Sequence, residues 1–259
     1  MRIEYKYLVP ITKLTLLRKA IENYTHRDYY HLGKIDYTVR SIYFDTTNLK
    51  FYHEKLDGLK ERKKLRIRGY NQLSDESIIF LEIKRKNENY ISKNRSPLFL
   101  NDLNNLFESK DLNSYIIETE NYEQAIEDGR KFFHYMSKMS LHPVVLIVYE
   151  REAYYSKFTD ELRITFDKNL RYMLFPDIND FGSESKMKYV LPSNFILEIK
   201  FSGGLPHWLH KIISGMNLSR LALSKYTMCI ENEKKSYAKA SDLLFGLGKK
   251  INIFSSEQD

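Results

Sequence analysis

The sequence predicts an α+β protein in which antiparallel strands close into a β-barrel with flanking helices. Strand-like segments rich in β-branched and aromatic residues, with period-two patterning, recur along the 259 residues. Strand–helix–strand units of parallel type are few, which favours antiparallel pairing. Charged residues lie two apart within these same segments, and five charged faces of mixed sign indicate a closed sheet around a charged lumen.

Seven segments carry the strand pattern and are separated by helical signals. The predicted strands are Ile3–Val9, Val39–Asp45, Lys64–Tyr70, Ile78–Arg85, Val144–Tyr154, Leu162–Phe166 and Phe195–Phe201.

Helical spacing predicts one helix near the start of the chain and two near its end. The first is Lys13–Tyr24, with Thr12 as N-cap, and the later two are Pro206–Met216 and Ser236–Phe245. The segment Leu100–Met139 lacks strand alternation and is predicted to form a helical excursion near residues 100–140. No linker divides the chain, so we expect a single domain over residues 1–250 and a flexible tail at 251–259.

Side chains alternate between the two faces of a strand, so each charged set points one way while apolar residues point the other. The clearest sets are Glu4 with Lys6, Arg66 with Arg68, Glu82 with Lys84, Arg163 with Asp167, and Glu198 with Lys200. Unpaired buried charge is costly, so a cationic lumen requires a polyanion as its ligand. By contrast, the run Arg62-Lys63-Lys64 is interpreted as a solvated face.

Composition excludes several classes of function. The formal charge of +7 favours an anionic partner, and the single cysteine, Cys229, fits a reducing compartment. No apolar run reaches about 18 residues and no signal segment opens the chain, so we expect a soluble cytoplasmic protein. Neither common nucleotide-binding glycine loop is present, and no motif marks a serine or cysteine hydrolase.

Eight stretches resemble the VTC domain, the polyphosphate polymerase module of the triphosphate tunnel metalloenzyme (CYTH-like) superfamily. They are Arg2-Ile3-Glu4-Tyr5-Lys6-Tyr7, Ser41-Ile42-Tyr43-Phe44-Asp45, Leu65-Arg66-Ile67-Arg68-Gly69-Tyr70, Phe80-Leu81-Glu82-Ile83-Lys84, Tyr149-Glu150-Arg151-Glu152-Ala153-Tyr154, Leu162-Arg163-Ile164-Thr165-Phe166-Asp167, Leu197-Glu198-Ile199-Lys200 and Ser224-Lys225-Tyr226. The resemblance implies a tunnel that binds ATP with a divalent cation, Mn²⁺ or Mg²⁺. It implies transfer of the γ-phosphoryl group to a growing polyphosphate chain, with release of ADP and with polyphosphate or pyrophosphate as acceptor.

The same resemblance assigns roles to individual residues. The implied catalytic phosphate contacts are Lys6, Arg66, Arg68, Lys84, Arg151, Arg163 and Lys225. Lys93 and Arg95 resemble the next basic strand of the family, and with Lys200, whose role is open, they are further substrate-binding candidates. Glu198 is implied to bind the metal, and Glu82 either binds metal or neutralises a neighbouring cation.

Two other functions stay open at this point. Relatives that hydrolyse triphosphate usually begin with Glu-x-Glu-x-Lys, whereas Arg2 replaces the first Glu here, which favours the polymerase over a triphosphatase. The third possibility is a non-catalytic binder of polyphosphate or nucleic acid. Nucleic acid is not expected, because aromatic residues lie mostly opposite the basic ones.

Overall fold

One antiparallel sheet of ten strands organises residues 2–28, 36–88 and 90–236, which the computed structural model describes. The strands are β1 (Arg2–Pro10), β2 (Thr25–Arg27), β3 (Tyr37–Asp45), β4 (Glu61–Tyr70), β5 (Ile78–Asn87), β6 (Tyr90–Phe99), β7 (His142–Ser156), β8 (Arg163–Leu174), β9 (Lys188–Tyr189) and β10 (Asn194–Ser202). The helices are α1 (Leu14–Ile21), α2 (Lys50–Leu56), α3 (Leu103–Ser109), α4 (Leu112–Tyr115), α5 (Tyr122–Lys138) and α6 (His207–Gly215), with three short 3-10 helices at Ile11–Lys13, Leu100–Asp102 and Ile178–Gly182. Residues 225–236 form a further helix.

The antiparallel α+β prediction is confirmed, but the described residues do not close the sheet by hydrogen bonding. The strands follow the path β1-β10-β8-β7-β3-β4-β5-β6, so β1 and β6 are its two edges. Both edges already bond to other segments: Tyr7 of β1 forms a bridge with Arg220, and Leu98 of β6 forms one with Ile116. Within the described residues, β1 and β6 do not pair with each other.

All seven predicted strands are present, most of them one to several residues longer than predicted. The strand predicted around Lys93 and Arg95 is β6, whereas β2 and β9 were not predicted. Both are short, at three and two residues, and pair with β7 and β8 respectively.

The helical predictions are confirmed for the excursion that forms α3, α4 and α5, and for α6. The first helix is shorter than predicted, and Thr12 is not its N-cap: Lys13 occupies that position without a side-chain cap. Only the first residue of the predicted helix Ser236–Phe245 belongs to the described residues. The rest of that helix and the predicted tail at 251–259 lie outside them. The helix at 225–236 was not predicted.

The helical excursion packs on the outer face of β3, β4 and β5. Ile42, Leu65 and Leu81 of these strands belong to one buried cluster with Phe132 of α5. On the inner side, Tyr226 and other residues of the 225–236 helix pack against β3 and β7. One face of the central strands is therefore apolar and covered, and their charged side chains point to the opposite face.

Candidate functional site

The inward faces of β1, β4, β5, β7 and β10 enclose a cavity of about 470 Å³. Eight of the predicted site residues line it, contributed by these five strands and by the start of the 225–236 helix. They are Lys6, Arg66, Arg68, Lys84, Arg151, Glu198, Lys200 and Lys225. Alternation along each strand brings these side chains together, because every one of the strand residues follows the two-residue period of its strand.

Glu82 lies beside the cavity, at the junction of three cations. Its carboxylate is 2.6 Å from Nη2 of Arg66, 2.8 Å from Nζ of Lys93 and 3.2 Å from Nε of Arg95. Burial raises the pKa of Glu82, but Arg66, Arg68 and Lys93 outweigh burial and hold that pKa well below its ordinary value. This geometry favours the neutralising role for Glu82 over the metal-binding one, since three cations contact its carboxylate and Glu82, unlike Glu198, is not among the described residues that line the cavity.

Lys93, Arg95 and Arg163 are not among the described residues that line the cavity. Arg163 lies 3.5 Å from Oδ2 of Asp28 and donates to the Tyr37 hydroxyl at 3.3 Å. The structure therefore brings eight of the twelve predicted site residues to one cavity. The other four, Glu82, Lys93, Arg95 and Arg163, form ion pairs outside the cavity lining.

Asp167 joins two of the predicted phosphate-binding residues. Arg151 donates to it through Nε at 2.6 Å and through Nη2 at 2.8 Å, and Nζ of Lys225 lies 2.5 Å away. Although burial raises the pKa of Asp167, Arg151 and Lys225 lower it further than burial raises it. Asp167 was not predicted as a site residue, although it lies on the same face as Arg163 in the quoted motif.

Carboxylates and ammonium groups alternate on the pair formed by β1 and β10. Glu4 lies opposite Lys200 and Lys6 lies opposite Glu198. Nζ of Lys6 is 2.6 Å from Glu4 and 3.7 Å from Glu198, while Nζ of Lys200 is 2.6 Å from Glu198 and 4.0 Å from Glu4. Burial raises the pKa of Glu198, but Lys200, Lys6 and Lys225 together hold it well below its ordinary value.

The carboxylates of the cavity lining that could hold a divalent cation are Glu198 and Glu4. Within the described ranges, no cluster of three or more His, Cys, Asp or Glu side chains could hold a metal ion. Mg²⁺ usually binds through one or two carboxylates together with phosphate oxygens and water. Two neighbouring carboxylates therefore fit a metal that arrives with a phosphate ligand, with Lys6 and Lys200 displaced from them.

Tyr43 and Lys64 line the same cavity, although they were not predicted as site residues. The Tyr43 hydroxyl accepts from Nη1 of Arg66 at 2.9 Å, and Lys64 donates to Oγ of Ser224 at 2.9 Å. Burial raises the pKa of Tyr43, whereas Arg66, Arg68 and Lys64 bring it down to about 7. Lys64 could have been recognised from its two-residue spacing from Arg66. It was missed because it belongs to the run Arg62-Lys63-Lys64, which was interpreted as a solvated face.

A family model described as VTC domain matches residues 1–233. The chain is 28% identical over 157 residues to vacuolar transporter chaperone complex subunit 2 of Saccharomyces cerevisiae; this covers 53% of the chain and 19% of the relative, so the chain spans about a fifth of that protein's length.

Among solved structures, one of the Mimivirus capping enzyme triphosphatase is 11% identical, with 83% of this chain and 88% of that chain covered and a TM-score of 0.32. A second structure of the same enzyme is also 11% identical, covering 81% and 96%, with a TM-score of 0.22. Separately, none of the helices in residues 2–28, 36–88 and 90–236 has the length and apolar character needed to cross a membrane.

Proposed function

Since this chain belongs to the VTC domain family, we propose that it transfers the γ-phosphoryl group of ATP to a growing polyphosphate chain and releases ADP. The observation that carries this proposal is the convergence of seven predicted cations on one cavity of about 470 Å³. Such a set matches a row of phosphate groups far better than a single small carboxylate, because Arg forks bind phosphate oxygens bidentately and Lys acts as a point charge.

The residues of the cavity supply positioning and charge stabilisation. Phosphoryl transfer needs little covalent chemistry from the protein, and a terminal phosphate acceptor is already ionised, so no general base is required. Arg66 and Arg151 are each held by a buried carboxylate, which fixes the guanidinium planes before substrate binds. We assign to them, with Arg68 and Lys225, the stabilisation of the phosphoryl oxygens during transfer.

Glu198 and Glu4 would hold the divalent cation, Mn²⁺ or Mg²⁺, which supplies charge neutralisation between phosphate groups. Lys6 and Lys200, which contact these two carboxylates, would then be free to turn to phosphate oxygens. We propose Lys93, Arg95 and Arg163 as supporting cations, because each is ion-paired at 3.5 Å or less beside the cavity.

Three wider features belong to the same proposal. The cavity works as a tunnel, the matched residues fold as a single domain, and the protein acts in the cytoplasm on ATP and polyphosphate. The curved path from β1 to β6 supports the first, because residues of β1 and β5 line one cavity although neither strand pairs with the other in the described residues.

The test is an incubation of purified protein with ATP and Mn²⁺ or Mg²⁺, with and without pyrophosphate. Polymeric phosphate is followed on a gel, and ADP and free phosphate are measured in parallel. We expect one ADP to be released for each phosphate unit added to the polymer. Free phosphate without polymer would select a triphosphatase, and no turnover with any metal would refute the polymerase.

Arg66→Ala tests the assigned site. We expect synthesis to fall by roughly 10²–10³-fold, the loss typical of one donor to a developing charge in a transition state. Glu198→Ala is expected to remove metal-dependent activity, while circular dichroism stays that of the wild type. Wild-type rates in both variants would remove the site assignment.

A polyphosphate-binding module without catalysis is the second candidate. It is favoured by the ion pairs that Glu198 makes with Lys200 and Lys6, because these occupy the carboxylate that would hold the metal. Tight binding of polyphosphate, with no ADP released in the assay above, would select it.

A further inference from the structure

Four basic residues on one wall of the cavity form no ion pair with any described residue. Arg62 and Lys64 of β4 lie directly opposite Lys86 and Lys84 of β5. Like charges in directly opposed positions destabilise a strand pair. No carboxylate oxygen of the described residues lies within 4.0 Å of these four cationic groups, so the repulsion between them is not offset locally by an ion pair.

Lys55 of α2 reaches the same wall and lines the same cavity as Arg62, Lys64 and Lys86. Burial lowers the pKa of Lys55, and the neighbouring charges of Arg62, Lys6 and Lys86 lower it further. Burial likewise brings the pKa of Lys64 down to about 7, with Tyr43 opposing this shift. Without a ligand, this wall is thus held in an electrostatically unfavourable state that an anion would relieve.

The row extends the predicted phosphate contacts in one direction. Along β4, the inward positions run from Arg62 through Lys64 and Arg66 to Arg68. With a rise of about 3.4 Å per residue, this row spans roughly 20 Å, which is longer than three linked phosphate groups. Arg62 and Lys86 lie at the end of the row where β4 begins and β5 ends.

We propose that Lys55, Arg62, Lys64 and Lys86 form an outer subsite for the phosphate units of a linear condensed phosphate beyond the first three. This inference rests on the proposed function, and it adds a direction: the chain leaves the cavity past Arg62 and Lys86. The subsite makes the protein prefer long chains over triphosphate, because each added unit contacts a cation that forms no ion pair with a carboxylate of the described residues.

The aromatic residues of the cavity favour phosphate over nucleic acid as the occupant. Tyr43 stacks on Tyr226, and Tyr149 lies under the cationic groups of Arg151 and Lys225 at 5.3 and 4.7 Å from its ring centre. Both rings are therefore already engaged, and no aromatic residue is a member of the outer row. Single-stranded nucleic acid binds through free aromatic faces beside basic residues.

The test compares Arg62→Gln/Lys86→Gln with a matched control, Lys63→Gln/Arg85→Gln. Lys63 and Arg85 form the neighbouring cross-strand pair and point to the opposite face of the same two strands. Both variants lose two positive charges. Affinities for inorganic triphosphate and for a long-chain polyphosphate are measured by calorimetry at one fixed ionic strength, after unfolding curves establish that each variant is folded.

We expect the cavity variant to lose long-chain affinity by at least about tenfold, the loss of one charge-assisted contact or more, and to keep its triphosphate affinity. The control is expected to keep both. Equal losses for triphosphate and polyphosphate, or a loss no larger than in the control, would overturn the subsite even if the protein makes polymer from ATP. So would an RNA oligomer of equal charge that competes as well as polyphosphate.

Failure of the proposed function gives a different pattern. If the wild type prefers long chains and the cavity variant loses that preference, while no polymer forms from ATP with any metal, the subsite stands and the polymerase does not.

Discussion

Two walls of one cavity carry their charges in opposite ways. On β1 and β10, acidic and basic residues alternate, so that Glu4 faces Lys200 and Lys6 faces Glu198. On β4 and β5, Lys64 faces Lys84, and like charges meet across the strands. The first wall is close to neutral and stabilises the ligand-free fold, whereas the second lowers its stability.

The two walls differ in how readily their cations can bind an anion. Paired cations are held in place before the ligand arrives, but a ligand must compete with their carboxylates. Lys64 and Lys84, which form no ion pair within the described residues, do not have to leave a carboxylate when an anion binds, and their mutual repulsion makes the protein less stable without a ligand. The proposed function uses both kinds of wall, one for the reacting end and one for the long chain.

The largest effect on stability is expected at Glu82, the acidic residue that lies opposite Arg66 on the otherwise basic wall of β4 and β5. Glu82→Gln removes the buried carboxylate from Arg66, Lys93 and Arg95 and leaves the whole β4–β6 face cationic. We expect the free energy of unfolding to fall by about 3 kcal/mol, as for one partner lost from a buried ion pair. Urea denaturation measures this change.

Glu127→Gln is the control for this loss, because Glu127 forms solvent-exposed pairs with Arg130 and Lys131 on α5. Its effect is expected to stay below about 0.5 kcal/mol. Added polyphosphate should raise the free energy of unfolding of Glu82→Gln more than that of the control, which keeps the wild-type cavity. An equal effect of both substitutions would contradict the assigned role of Glu82.

A smaller effect of opposite sign distinguishes the two walls. Lys64→Met removes a partly buried ammonium group that has a hydrogen bond to Ser224 but no ion pair in the described residues, and it is expected to raise the free energy of unfolding by about 1 kcal/mol without ligand. Lys200→Met removes a partner of Glu198 and is expected to lower it by a similar amount, about 1 kcal/mol. Two shifts of the same sign in thermal or urea unfolding would remove the distinction between the walls.

The smallest effect is a pH dependence at Lys64. Its folded-state pKa of about 7 lies below the ordinary 10.5, so the unfolded state binds more protons between these values and stability rises with pH. The stabilising effect of Lys64→Met should therefore be largest below pH about 7 and disappear towards 10.5.

The lowered pKa of Tyr43, about 7 against the ordinary 10.0, acts in the same direction over that window. Each of the two groups shifts the pKa of the other, so we expect this pH dependence to be shared between Lys64 and Tyr43. Urea unfolding of wild type and Lys64→Met across the window measures the difference. A constant difference at every pH would show that Lys64 stays protonated.

Local patterns in the sequence predicted which side chains share a face, because alternation along a strand is fixed by the backbone alone. Arg66, Arg68, Glu198 and Lys200 were placed on the charged face in this way, and the cavity brings them together. The pairing of charges across strands could not be predicted, since it depends on register between segments distant in sequence, as between Arg151 and Asp167.

Other features were missed for identifiable physical reasons. The short strands β2 and β9 are too brief to show a period and exist because β7 and β8 offer them an edge. The helix at 225–236 begins at Lys225 and was hidden behind the apolar stretch at 218–223. The closed barrel was predicted from the alternation of charged residues. This alternation shows which side chains share a face of a strand, but it does not show which segment bonds to an edge strand.

The lysines that bridge Glu4 and Glu198 have one more consequence. Lys6 and Lys200 keep the carboxylates neutralised while the cavity is empty, so a lone metal ion must compete with two ammonium groups. A phosphate that draws the lysines away makes room for the ion, and the ion in turn frees the lysines for phosphate. Under the proposed function, each ligand then raises the affinity of the other by the same factor through thermodynamic linkage, and we expect tighter binding of the complex of nucleotide and metal than of either component alone.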